Sequence, residues 1–231
     1  MAQEPRFRTS QSAVGAATAG QTTGGVQINS VLRNTYMLLG MTLAFSAVCA
    51  YVAMVMGVGR PPFLVILAGF FGLLFLVEKT ADSGWGLLTC FVFTGFLGFI
   101  TGPVIAYYMS TTNGPALVTS AFATASAAFV GLSAFTLITR KDFGFLGGFL
   151  MVGFFVLMGA VLVSWLFNLS AMHTAISAGF VIFASAAILW QTSAIIHGGE
   201  RNYIRATVSL FVSFYNLFMS LLHIFGVMGD D

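Results

Sequence analysis

Seven apolar blocks, none with a charged residue at its centre, divide this chain, covering 34–57, 61–77, 85–109, 115–139, 143–167, 173–197 and 203–226. A hydrocarbon core about 30 Å thick takes ~20 residues of helix to cross. Only helices or a closed barrel satisfy their own backbone hydrogen bonds in lipid. A barrel needs alternating strands of ~10 residues, whereas Phe143–Phe167 is a long run that is apolar on every side. A soluble domain carries about 25% charged residues. This chain has 7%, with 58% hydrophobic residues, so lipid must serve as its solvent. The expected fold is an all-α membrane protein with seven transmembrane helices.

Residues 1–30 precede the blocks and are rich in Ala, Gly, Thr, Gln and Ser. Such a composition does not offset the entropy of ordering, so a disordered tail is expected there and a bundle over 31–228. The tail is not a secretory signal, because no apolar segment with a cleavage site opens the chain. Ser46-Ala47-Val48-Cys49 has a faint lipoprotein-like pattern, but it lies inside a span. The second block is the shortest. Arg60, Pro61 and Pro62 flank it on one side and Glu78 and Lys79 on the other, so the prolines extend it or Lys79 snorkels to the interface.

The basic residues set an orientation. With the N terminus inside, Arg6, Arg8, Arg33, Lys79, Arg140, Lys141, Arg201 and Arg205 are cytoplasmic and Arg60 alone is outside, eight against one. That bias follows the positive-inside pattern and puts the C terminus across the membrane. Scattered among loops, these residues form no patch for nucleic acid.

On the last block Ser209, Ser213, Asn216, Ser220 and His223 recur at spacings of 4, 3, 4 and 3, which places them on one stripe of a helix. A stripe of this kind is costly against lipid, so it faces other helices or a wet cavity. It serves either as interhelical hydrogen-bonding glue or as part of an ion or proton path. Ala123, Ala127 and Gly131 on the fourth block, and Gly98 and Gly102 on the third, have the spacing of small-residue packing seams.

Chemistry is harder to find. No HExxH, CxxC, GxSxG or phosphate-binding loop occurs. Gly131-Leu132-Ser133-Ala134 superficially resembles an intramembrane serine-protease motif, but no base or oxyanion donors can be assigned to Ser133. His173, His197 and His223 lie near block ends, and Cys49 and Cys90 read as buried small hydrophobes. No enzyme, metal site or cofactor is expected. With no ionisable group at the centre of a span, the chain also lacks what ion-coupled transporters ordinarily keep in the membrane.

Several runs carry a resemblance. They are Arg33-Asn34-Thr35-Tyr36, Thr94-Gly95-Phe96-Leu97-Gly98 with Gly102-Pro103, and Thr139-Arg140-Lys141-Asp142 leading to Phe145-Leu146-Gly147-Gly148. The most specific is Ile195-Ile196-His197-Gly198-Gly199-Glu200 followed by Asn202-Tyr203-Ile204-Arg205-Ala206-Thr207-Val208-Ser209-Leu210. In this order, across residues 31–228, they resemble the Bax inhibitor (transmembrane Bax inhibitor motif) family. The resemblance implies two groups of three helices around a central seventh. Through bacterial inner-membrane members of the family it also implies a modulator that binds the membrane protease FtsH, and through it the HflK/HflC assembly, and restrains degradation of membrane proteins. The alternative it implies is a passive calcium leak. Calcium-leak members carry facing aspartates on the sixth and seventh spans. Matching around Leu189-Trp190-Gln191-Thr192 and Phe211-Val212-Ser213-Phe214 puts Gln191 and Ser213 at those places. Neither ionises, which argues against the leak. Ala125, where the family tends to have Thr, is a smaller departure.

Overall fold

The computed structural model describes residues 9–169 and 172–229, as seven α-helices with no strand among the described residues. They are α1 (Thr9–Val55), α2 (Phe63–Thr80), α3 (Gly86–Met109), α4 (Gly114–Thr139), α5 (Leu146–Phe167), α6 (Met172–Ile196) and α7 (Tyr203–Gly229). All seven are long and apolar enough to cross a membrane, the first through its Asn29–Val55 portion. The boundaries follow local chemistry. Pro61 and Pro62 stay outside α2, whose first turn opens with the Val65 amide donating to the Pro62 carbonyl at 3.0 Å. Lys79 lies in the last turn of that helix, where a cation suits the helix dipole. Gly57 and Gly198, with φ of 63° and 74°, turn the chain in the left-handed region just beyond α1 and α6, which glycine enters without steric cost.

One difference concerns the N-terminal segment. The backbone is helical from Thr9, continuous with the first span, across residues whose composition alone suggests no order. Extending an existing helix costs far less than nucleating one, so a stable span propagates outward through such a sequence. Residues 1–8 of the expected tail lie outside the described residues.

The helices form two groups of three with α7 packed between them. α1 lies along α3, with α2 on the outer side of α3; α4 lies along α6, with α5 on the outer side of α6. α7 packs against α1, α3, α4 and α6. Its Leu210, Phe211, Leu217 and Leu222 are fully buried, and Phe214 and Phe218 meet the edges of Phe122 and Phe129 from α4. The peripheral α2 and α5 bury almost nothing within the protein, one side chain in α2 and two in α5, as expected of helices that give most of their surface to lipid.

Small residues set the closest approach. A Cβ on Gly98 would strike the Ser46 carbonyl oxygen of α1, and one on Gly102 would sit 2.6 Å from both the Ala50 oxygen and the Ala53 Cβ. Backbone contact of this kind is how helices gain dispersion energy in lipid, where burial of apolar surface offers no advantage. Pro103 follows immediately, a residue the α3 interior tolerates with loss of one backbone hydrogen bond. The other expected seam is not one. Ala123, Ala127 and Gly131 are all exposed, with open space where a Gly131 Cβ would lie. α4 packs instead through the buried Ala121, Ala125, Phe129, Ser133 and Thr136. Spacing of four marked a face of α4 but could not say which face turned inward. Ala125 is fully buried, so the smaller side chain at that position lies against the core.

These contacts predict opposite signs for one substitution type. Gly98→Ala should destabilise the bundle by about 1–3 kcal/mol through overpacking, whereas Gly131→Ala should be neutral or stabilise by up to ~1 kcal/mol through helix propensity. Thermal unfolding in detergent measures both. Orientation is testable separately, in a chain whose Cys49 and Cys90 are replaced by alanine. From the basic asymmetry, a cysteine introduced into residues 1–8 should be shielded from an impermeant thiol reagent in intact cells, and one placed after Gly229 should react. Equal labelling of the two would refute the assignment.

Candidate functional site

α7 carries the polar stripe, and neighbouring helices decide what each part of it does. At the end bearing most of the basic residues, Asn202 caps the helix. Its Oδ1 accepts from the Ile204 amide at 2.8 Å, while its Nδ2 donates to the Ala81 carbonyl at 2.9 Å and to Asp82 Oδ1 at 2.8 Å. Arg205, one turn on, donates to Asp82 Oδ2 at 2.6 Å, and its Nε lies 3.1 Å from Glu78 Oε2 without the alignment of a hydrogen bond. The start of α7 is thereby fastened to the end of α2 and to the α2–α3 loop. Thr207 donates to Tyr203 O at 2.7 Å and reaches the Thr35 carbonyl of α1 at 3.2 Å.

Farther along, Ser213 faces α6. The Ser213 hydroxyl lies 3.0 Å from the Ser209 carbonyl and 3.4 Å from Gln191 Oε1. Gln191 and Ser213 thus come together across the α6–α7 interface, with Ser213 buried and Gln191 half-buried. Bonding back to the carbonyl four residues earlier is the ordinary habit of a mid-helix serine. An amide and a hydroxyl can exchange a neutral hydrogen bond, but they offer no negative charge to a cation.

The far half of the stripe has a different setting. Asn216, Ser220 and His223 line a cavity of about 480 Å³, together with His173 and Ser177 of α6, Val161, Ser164 and Trp165 of α5, Phe63 of α2, and Arg60. The His173 and His223 rings lie 6.1 Å apart, nearly edge to face. On its other side His223 meets Tyr108 of α3, whose hydroxyl is 3.2 Å from Nδ1. That contact depends on Gly226, because a Cβ there would collide with the Tyr108 ring. His223 Nε2 is buried without a hydrogen-bond partner among the described residues.

The remaining sequence candidates fall elsewhere. His197 is exposed at the end of α6, and its Nδ1 is 2.9 Å from the Ser193 carbonyl and 3.2 Å from Ser193 Oγ. Ser193 in turn accepts from the Phe143 amide at 3.0 Å and donates to the Lys141 carbonyl at 3.3 Å, pinning the α4–α5 loop to α6. Ser133 Oγ is buried and makes no hydrogen bond among the described residues. Cys90 is buried, and Cys49 is half-buried within α1. Sequence reasoning missed the Asn202–Asp82–Arg205 latch and the roles of Arg60 and Tyr108. Only the proximity of unlike charges to the block ends hinted at the first. The second depends on which helix ends meet, which periodicity does not encode.

Comparison with known proteins adds a family and relatives. Residues 28–230 match the family model described as inhibitor of apoptosis-promoting Bax1. An uncharacterised protein of Pseudomonas aeruginosa is 57% identical over 205 residues, 89% of this chain and 92% of that protein. Over 203 residues, 88% of this chain and 92% of the relative, the chain is 48% identical to YccA of Escherichia coli K12, named modulator of FtsH protease. The same protein from another E. coli strain is named an inner membrane protein. A membrane protein of Vibrio cholerae is 39% identical over 207 residues, 89% of this chain and 93% of its own length.

The neutral Gln191–Ser213 contact leads to a measurable expectation. Purified protein in liposomes should pass little calcium, with no steep change between about pH 6 and 8, because neither side chain titrates there. The double variant Gln191→Asp with Ser213→Asp should create a pH-dependent site, since two adjacent carboxylates do not both ionise cheaply. Fluorescent-indicator flux assays would read both, and strong pH-gated entry through the unmodified chain would contradict the expectation.

Proposed function

The chain belongs to the Bax inhibitor family, and from that premise we propose that it is a modulator of the membrane-bound protease FtsH, one that binds the protease and restrains degradation of other membrane proteins. The observation carrying this reading is the 48% identity, along nearly the full length of both chains, to a protein named for that role. Its place is the bacterial inner membrane, with residues 1–30 in the cytoplasm and the C terminus in the periplasm. FtsH is the direct partner, and HflK/HflC is reached through it. The role is regulatory rather than catalytic. The neutral character of the Gln191–Ser213 contact favours it over a calcium leak.

The mechanism joins the N-terminal segment to the bundle. A processive protease needs an end it can unwind. Residues 1–30 include Gly15, Gly20, Gly24 and Gly25, each costing a helix about 1 kcal/mol relative to alanine, and their composition supplies little apolar surface for docking. Behind this end stand seven spans locked by backbone contacts such as Gly98 on Ser46, and extracting each means moving ~20 apolar residues out of lipid. FtsH engages the segment, removes the bundle slowly, and is meanwhile unavailable to other substrates.

Deleting residues 2–25, with topology verified by thiol labelling, tests this. The truncated chain should live longer in pulse-chase experiments, copurify less with FtsH from native membranes, and protect a known FtsH substrate less. If full-length protein fails to copurify with FtsH, the modulator reading itself falls. Retained copurification with unchanged lifetimes would remove only the role of the segment.

A further inference from the structure

The cavity at the far end of α7 has a character the proposed protease modulation does not use. Its polar lining includes Arg60, Ser164, His173, Ser177, Asn216, Ser220 and His223, and no acidic side chain among the described residues lines it. Arg60 forms no ion pair among the described residues, whereas the basic-end Arg205 has two carboxylate partners. His223 has Nδ1 engaged by Tyr108 and leaves Nε2 buried without a partner among the described residues. A buried polar atom without a partner costs about 1–3 kcal/mol, a cost recovered by a ligand in the cavity toward which the ring turns. One guanidinium, two imidazoles and a carboxamide, with no opposing carboxylate, make a set of donors for an anion. Planar donors of the arginine kind suit a phosphate above all.

Position identifies where the anion comes from. His223 lies six residues before the end of α7, about 9 Å along the helix axis at 1.5 Å per residue, a depth suited to a lipid headgroup. Laterally the cavity is bounded by α2 and α5. These helices pack along α3 and α6 respectively and do not pack along each other. They meet through Phe63 stacked on Trp165, ring centroids 5.4 Å apart. Leu64 and Leu166 beside this stack are more than half exposed, giving an apolar rim that faces the acyl region. A soluble anion makes no use of such a rim. A phospholipid does, since its phosphate must sit inside while its chains remain in the bilayer.

We propose that the cavity between α2, α5, α6 and α7 binds the phosphate of an anionic phospholipid, with Arg60 and the His173–His223 pair holding the phosphate and the chains leaving past Phe63 and Trp165. Asn216 and Ser220 supply further hydrogen bonds from the α7 stripe. The site is independent of FtsH and sits at the opposite end of the bundle from the Asn202–Arg205 latch.

The test uses the full chain purified in a neutral detergent, with phosphatidylglycerol or phosphatidylcholine titrated in, and native mass spectrometry and thermal unfolding as readouts. Phosphatidylglycerol should remain bound and raise the unfolding temperature more than phosphatidylcholine does. Arg60→Gln should weaken its binding about tenfold, the loss of one hydrogen-bonded charge. Arg60 is exposed, so this variant should keep its fold, and Arg140→Gln, exposed at the other end, should bind as the unmodified chain does. His223→Gln should weaken binding as well. Equal retention of both lipids, or equal loss with Arg60→Gln and Arg140→Gln, would overturn the proposal. So would stabilisation by inorganic phosphate at the same strength as by the lipid, which would make the site one for a soluble anion. Stabilisation by zinc ions that His223→Gln abolishes, without any lipid preference, would likewise overturn it in favour of a metal.

Discussion

A bilayer interior offers the backbone no hydrogen-bond partners, and most of this structure follows from that constraint. It makes every span a helix and drives the chain's punctuation to the membrane surfaces. Gly57 and Gly198, the proline pair before α2, and the capping residue Asn202 all sit where a span stops. It also removes the force that assembles soluble cores. Since lipid is as apolar as leucine, the helices gain from contact only where they fit unusually closely or share polar groups. The α1–α3 pair takes the first route through Gly98 and Gly102 against Ser46, Ala50 and Ala53. The α6–α7 pair takes the second through Gln191 and Ser213.

The position of α7 follows from the same reasoning. A helix carrying five polar groups on one stripe cannot be peripheral without exposing them to hydrocarbon, whereas α2 and α5 lose nothing by facing lipid. The sorting by polarity therefore leaves α7 between the two groups. The latch from Arg205 and Asn202 to Asp82 and Glu78 sets its height relative to α2 and α3. With that end fixed, the register at the far end brings His223 against Tyr108, an approach that Gly226 permits.

What could be read from the sequence was what depends on composition and period. The seven spans emerged with ends within a few residues, because hydropathy reports directly on lipid contact. The α7 stripe was visible because its spacing of 4, 3, 4 and 3 marks a single face whatever surrounds it. The α4 seam was misread for the complementary reason. Ala123, Ala127 and Gly131 have the right period, but a helix made largely of small and apolar residues has no face its sequence singles out. Packing selected the Ala121–Ala125–Phe129 face instead. Arg60 and Tyr108 could not be tied to His223 in advance, since over a hundred residues separate each from it and neither belongs to a periodic pattern.

The neutrality of the stripe has a consequence for the kind of work the bundle can do. A charged side chain at mid-membrane costs at least about 2.5–3.5 kcal/mol and persists where a conduit or a relay makes use of it. Gln191 and Ser213 avoid that cost and meet across the interface. Hydroxyls on α1, α3 and α7 also bond within the bundle: Thr42 to Leu39, Thr101 to Leu97, and Thr207 to Tyr203. An interior of this kind is tightened by its polar groups rather than opened by them. A path for ions needs groups that exchange protein partners for hydrated ones at low cost. A body that resists extraction needs the reverse, polar groups already bonded and close-fitting seams, and the approach of Gly98 to Ser46 between α1 and α3 and the Gln191–Ser213 contact between α6 and α7 are of that second kind.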